Sequence, residues 1–313
     1  MITRRKAVAS TCAALLPGVV LHPGRAYGQE AAVKAIATFS ILADFVRNVG
    51  GDRVDVAALV GPNGNAHVYA PSPSDARKVA GAKVVFVNGL GFEGWLDRLV
   101  KASASTAPVI VATKGIKPIE RGGDHDQGHE PEPEHDHGRA DPHAWQSVAN
   151  AKIYVANIRD ALASLDPAGK AVYEASADTY LAKLDALDRE VRDVIARIPA
   201  DRRRVITSHN AFGYFQSAYG IEFTAPQGVS TESEASAKDV AAIITQIRRD
   251  KAAAVFLENV TDPRLMRQMA SETGAKVGGV LYSDALTDRS GDAPTYIALI
   301  RHNLKQLAAA LIS

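Results

Sequence analysis

The chain has 313 residues, 46% of them hydrophobic and 23% charged, enough to bury one large or two ordinary cores and unlike a disordered composition. With 36 Lys and Arg against 35 Asp and Glu, the formal net charge is +1, which excludes the basic footprint of a nucleic-acid-binding protein. A single cysteine leaves no disulfide framework, so any metal site has to be built from histidine and carboxylate.

Residues 1–28 read as an export signal. Arg4, Arg5 and Lys6 are followed by an apolar run too short and too interrupted to span a membrane, and Ala26 and Gly28 are small residues suited to cleavage after Gly28. The alternative is a buried N-terminal helix, and Pro17, Pro23 and Gly24 argue against it. Arg4-Arg5 leaves the export route open between the general and the twin-arginine pathway. Cys12 lies too early, with no apolar run before it, to be a lipid-attachment site, and it leaves with the leader. The leader holds four of the basic residues and no acid, so the mature chain keeps 32 against 35 and a net charge of −3. No second long apolar run follows, and the mature protein is expected to be soluble.

From residue 29 onward, short apolar runs alternate with helix-period segments. The strands read as VKAIATF, RVDVAALV, KVVFVNG and PVIVAT, with helices at ILADFVRNVG and PSDARKVAGA between them. After a His/acid-rich stretch comes a helix over SVANAKIYVANIRDALASLD, then more than thirty residues from Pro167 without an interior proline. There Leu181, Leu184, Leu187, Val191, Val194 and Ile198 recur at three- and four-residue steps, as in one long amphipathic helix. The alternation then restarts with RRVITS, IEFTAP, AAAVFLEN and AKVGGVLYS. This pattern predicts an α/β protein of two Rossmann-like lobes with parallel sheets, joined by one long linking helix. The boundaries are a signal over 1–28, an N-terminal lobe over 29–165 with a flexible loop at 122–140, the linking helix over 166–199, and a C-terminal lobe over 200–313.

Gly89, Gly91 and Gly94 form a GxGxxG pattern between a strand and a helix. The dinucleotide fingerprint sits on the first strand with an acid about 20 residues on, whereas this one follows the third strand and lacks the acid. It is read as a packing turn. Five of the nine histidines lie within residues 122–145. Taken singly, a loop histidine is more often a surface residue or a helix cap. Parallel sheets, however, place ligands beyond the carboxyl ends of their strands. His67 lies in the loop leaving RVDVAALV, His209 ends RRVITSH, Asp284 ends VGGVLYSD, and His143 in DPHAW stands where the chain enters a helix. Three imidazoles and a carboxylate suit tetrahedral Zn²⁺.

The segments NAHVYAPSPSD, VNGLGFEGWLDRL, DPHAWQS, VITSHNAFGYF, VFLEN and YSDAL, in this order, resemble the periplasmic zinc/manganese-binding proteins of ABC transporters, the ZnuA-like, cluster A-I solute-binding family. The resemblance spans nearly the whole mature chain. It implies two α/β lobes, a long linking helix and one metal held between the lobes by His67, His143, His209 and Asp284. The third of these positions is His in zinc binders and often Glu in manganese binders, so His209 points to zinc. Asn65-Ala66 stands where Asp-Pro often precedes the first ligand, and Ala70 where a Glu is usual. The shortened histidine stretch brings the chain nearer the AztC type.

Residues 124–137 carry four His and six acids with no Lys or Arg, and have no apolar face to bury. They are expected to form a mobile loop in which His125, His129, His135 and His137 gather zinc near the cleft; the alternative is a solvated tether. Glu258, at a strand end, fits either a residue backing the site or a contact with the permease. His22 leaves with the leader, and His302 lies on the last helix, away from these loops. The expected function is capture of one Zn²⁺ in the periplasm and delivery to an ABC permease. The expected protein is a monomer, with a periplasmic zinc chaperone as a second partner. The rivals are a manganese or iron carrier of the same family and a secreted zinc hydrolase.

Overall fold

The computed structural model describes residues 32–120, 140–250 and 252–312. The export signal, the histidines at 125, 129, 135 and 137, and most of the 122–140 loop lie outside these residues.

The first sheet contains β1 (Val33–Phe39), β2 (Val54–Val60), β3 (Val84–Val87) and β4 (Val109–Val111), all parallel, in the order β2-β1-β3-β4. Its helices are α1 (Ser40–Gly50), α2 (Pro73–Ala80) and α3 (Leu96–Ser103). The second sheet repeats the plan with β5 (Arg204–Ile206), β6 (Glu222–Thr224), β7 (Ala254–Glu258) and β8 (Val277–Leu281) in the order β6-β5-β7-β8. Strands β1, β3 and β7 are almost wholly buried, as β-branched and aromatic runs covered on both faces should be. In each sheet the strand order reverses between the two central strands, which opens a crevice at their carboxyl ends.

Between the sheets run α4 (Val148–Leu165) and α5 (Lys170–Ala196). The 27-residue α5 is entered through a short 3-10 turn at Pro167–Gly169, where Asp166 accepts hydrogen bonds from Gly169 N, Arg53 and Tyr173. Its buried stripe is Tyr173, Ala177, Tyr180, Leu184, Leu187, Val191 and Ile195, one residue per helical turn. Leu181 and Val194, read from spacing as part of the stripe, sit only half-buried on its flank. Tyr180 packs against Phe45 where α5 meets α1, Tyr173 donates to Asp166 at the helix entrance, and α5 also meets α9 (Tyr296–Leu311).

The helix is therefore more than a strut. Its apolar face lies in one continuous core with both lobes, whereas a smaller core under α7 (Ala237–Asp250) and α8 (Pro263–Thr273) belongs to the second lobe alone. Among the described residues, no helix is long and apolar enough to cross a membrane. Truncating Leu187 at the middle of the stripe to alanine is expected to cost about 2–5 kcal/mol of unfolding free energy. Urea denaturation measures it, and a loss well short of that range would place α5 outside the shared core.

Candidate metal centre

The GLGFEG turn after β3 shows why a glycine pattern is no guide to phosphate here. Gly89 and Gly91 adopt φ of +86° and +76°, and a Cβ at Gly89 would lie 2.6 Å from Val111 Cγ1. The turn wraps around its own Glu93. The Glu93 carboxylate accepts from Asn88 N (2.6 Å), Gly89 N (3.1 Å) and Thr38 Oγ1 (2.6 Å). The amides that could face an anionic ligand at the first sheet's crevice are thus taken by a buried internal carboxylate. The same turn contributes Phe92, whose ring meets His67 edge-on at 4.8 Å, and Trp95, whose Nε1 donates to Ala66 O at 2.8 Å.

The second sheet does the same with Glu258. Its Oε1 accepts from Ser208 N (2.7 Å) and His209 N (2.9 Å), while Oε2 lies 2.6 Å from His209 Nδ1. Glu258 is 4% exposed and His209 fully buried, so the carboxylate backs the site from inside and does not reach a partner surface. Nδ1 thus faces Glu258, which leaves Nε2 on the side of Asp284, where a ligand nitrogen is needed.

His143 is held in the same manner by a residue the sequence reading passed over. Asp141 Oδ1 accepts from His143 N at 2.9 Å and lies 2.8 Å from His143 Nδ1. The signal was present in the DPH triplet. An Asp two residues before the ligand turns back on the backbone, and Pro142 restricts the approach. Asn88 Nδ2 then donates to Pro142 O at 2.9 Å, and Tyr214 OH to Asp141 O at 3.2 Å, fastening this segment to both lobes. Asp284 is fixed through its neighbour: Ser283 O accepts from Trp145 Nε1 (2.9 Å) and Gln146 Nε2 (2.8 Å).

These four side chains converge. One donor atom from each of His67, His143, His209 and Asp284 lies within 4.8 Å of the others. His67 Nε2 is 3.2 Å from His143 Nε2 and 3.3 Å from Asp284 Oδ2; His209 Nε2 is 3.2 Å from Asp284 Oδ2, and His143 Nε2 3.5 Å from Oδ1. His67 is 5% exposed and the other three are sealed from solvent. Neither oxygen of Asp284, neither ring nitrogen of His209, nor Glu258 Oε2 meets hydrogen-bond geometry with a partner among the described residues. Burial alone would raise the Asp284 carboxyl, but His209 and His143 outweigh it and hold the group well below the usual carboxylate range. Burial likewise opposes charge on His209, but Glu258 and Asp284 prevail and pull it well above the ordinary imidazole value. Burial pushes His67 down, partly offset by Asp284. His302 lies elsewhere, its Nε2 donating to Val280 O at 3.1 Å.

The family model for the periplasmic component A of zinc-uptake complexes, ZnuA, matches residues 36–310. The chain belongs to the ZnuA family. The iron-binding protein YfeA of Yersinia pestis is 36% identical over 276 residues, 88% of this chain and 85% of its own. The manganese-binding lipoprotein MntA of Halalkalibacterium halodurans is 32% identical over 280 residues, 89% of this chain and 88% of its own. Among solved structures, the periplasmic zinc-binding protein TroA of Treponema pallidum superposes with a TM-score of 0.81 at 28% identity, covering 90% of this chain and all of that one. The manganese-bound periplasmic metal-binding protein from Candidatus Liberibacter asiaticus gives 0.77 at 30% identity, covering 89% and 99%. ZnuA-family proteins are metal-binding periplasmic substrate-binding components of ABC transporters, a role that implies a permease as partner.

Burial opposes charge on His209, but Glu258 and Asp284 pull it upward, so a proton there is expected to compete with an incoming cation. Metal affinity is therefore expected to rise with pH, by up to about tenfold per unit while that proton competes. Titration calorimetry in buffers of differing ionisation enthalpy should show at least about one proton released per metal at neutral pH. Release of none would mean that His209 is already neutral.

Proposed function

We propose that the protein binds one Zn²⁺ through His67, His143, His209 and Asp284 in the periplasm and delivers it to its ABC permease, after removal of a leader ending near Gly28. The observation that carries the reading is the donor set itself, three imidazoles and one carboxylate in a dry pocket. Ligands placed tetrahedrally about 2.0–2.1 Å from an ion are separated by about 3.3–3.4 Å. Four of the separations, one between His67 and His143 and three to Asp284 (two to Oδ2, one to Oδ1), are 3.2–3.5 Å, close to that value, within a set whose ligand atoms all lie within 4.8 Å of one another. Imidazole-rich sites suit zinc, whereas manganese favours carboxylate, carbonyl and water oxygen.

The chain's own groups perform capture and release. Asp141 and Glu258 fix the ring orientation of His143 and His209, so two ligand nitrogens face inward before the ion arrives. Asp284 supplies the negative charge and three imidazoles complete the shell, leaving no position for the reactive water of a hydrolase. Because α5 is embedded in a core common to both lobes, release proceeds by movement of ligand loops and not by wide separation of the lobes. The permease drives that movement. Residues 124–137, with their four histidines, are proposed to raise the local zinc concentration beside the cleft.

The names of the relatives favour a second reading, a manganese or iron carrier, since YfeA is described as iron-binding and MntA as manganese-binding. Competition titration of the metal-free protein with Zn²⁺ against Mn²⁺, and against Fe²⁺ under anaerobic conditions, separates the two. Zinc is expected to displace either ion at equimolar concentration. Retention of manganese or iron against equimolar zinc rules the zinc reading out.

A further inference from the structure

The loop that carries His67 is stitched to the second lobe. Asn63 N donates to Leu286 O at 2.8 Å, and Asn259 Nδ2 donates to Asn63 Oδ1 at 3.3 Å. Asn65 then does two things at once. Its Oδ1 accepts from His67 N at 3.0 Å, and its Nδ2 donates to Thr231 Oγ1 at 2.8 Å and to Val260 O at 3.3 Å. The orientation of the amide follows from its neighbours, because His67 N–H can only donate and Val260 O can only accept. The partners sit in the loops that follow β6, β7 and β8, the last of which also bears Asp284.

His67 is the one ligand with any exposure, 5% against none for the other three, so the way out of the site passes beside it. Its loop is held on the first lobe by Trp95 Nε1 bonded to Ala66 O, and across the cleft by Asn65. An Asp at position 65 would keep the acceptor for His67 N but would have no donor for Val260 O. Asparagine supplies both.

We propose that Asn65 is a cross-cleft clasp: its carbonyl orients His67, its amide fastens that ligand's loop to the mouth of the second lobe, and the bond to Thr231 sets how fast bound metal leaves. Asn65 is thus a positioning residue that touches no metal. The proposal rests on the metal-carrier reading above, but not on which divalent ion is carried.

The test is the rate of metal loss from the zinc-loaded protein into excess chelator, followed by stopped flow, after one metal per chain has been verified. Thr231→Val deletes the nearer of the two cross-cleft acceptors, leaving Val260 O, Asn65 and His67 in place, and it is expected to speed release about two- to tenfold, the range for loss of one neutral hydrogen bond. Thr231→Ser keeps the hydroxyl and should restore the wild-type rate. Asn65→Ala loses both functions and should release faster than Thr231→Val. A wild-type rate in Thr231→Val, whatever Asn65→Ala does, shows that the bond to Thr231 does not set the release rate and overturns the proposal, and so does a serine variant as fast as the valine one. A wild-type protein that fails to load zinc instead counts against the zinc reading. The same series run with Mn²⁺ then tests the clasp.

Discussion

Asp284 is a fully buried carboxylate with no hydrogen bond to either oxygen among the described residues, and three imidazole nitrogens crowd it at 3.2–3.5 Å. A buried anion left to itself costs several kcal/mol, which a fold tolerates only where a cation compensates it. Against burial, Asp284 and Glu258 pull His209 well above the ordinary imidazole value, and in the loaded protein a divalent ion is expected to take the place of the His209 proton. Much else in the architecture serves this exchange. Four acceptors must meet in one small dry volume, yet they come from loops on two sheets and from the entrance to α4.

The device that makes this possible is a second layer of carboxylates. Asp141 and Glu258 each take a backbone N–H of the histidine they serve and stand against its Nδ1, so backbone position and ring orientation are fixed by one group. Glu93 occupies the corresponding amides of the first sheet and keeps that crevice from acting as an anion site. Crevices of this kind commonly receive a ligand's negative charge, whereas here the protein fills them from within. The carboxylate left facing the three imidazoles is Asp284, at the seam where Trp145 and Gln146 of one segment hold Ser283 of another.

Much of this was legible in the sequence, and the reason is geometric. Parallel strands end at one edge, so a histidine or aspartate directly after such a strand, as at His209 and Asp284, is aimed at the crevice whatever the rest of the chain does. The strand and helix positions follow from period and punctuation, and the length of α5 follows from an unbroken repeat of apolar residues. What spacing could not show was direction. Tyr173 and Tyr180 belong to the buried stripe of α5 and Leu181 to its flank, because three-residue and four-residue steps are equivalent until neighbouring helices are in place. Asp141, Asn65 and Glu93 act through hydrogen bonds to particular backbone groups, and such bonds leave no periodic trace. The four histidines at 125, 129, 135 and 137 lie outside the described residues, and their part in zinc capture rests on composition.

The central claim is that three imidazoles and one carboxylate close around a single ion. X-ray absorption at the metal edge of the zinc-loaded protein reads that shell directly. The account predicts four nitrogen or oxygen neighbours at about 2.0–2.1 Å, with the multiple-scattering signature of three imidazole rings. A shell of six oxygen-rich neighbours at longer distance, or one with fewer than three imidazoles, would contradict it.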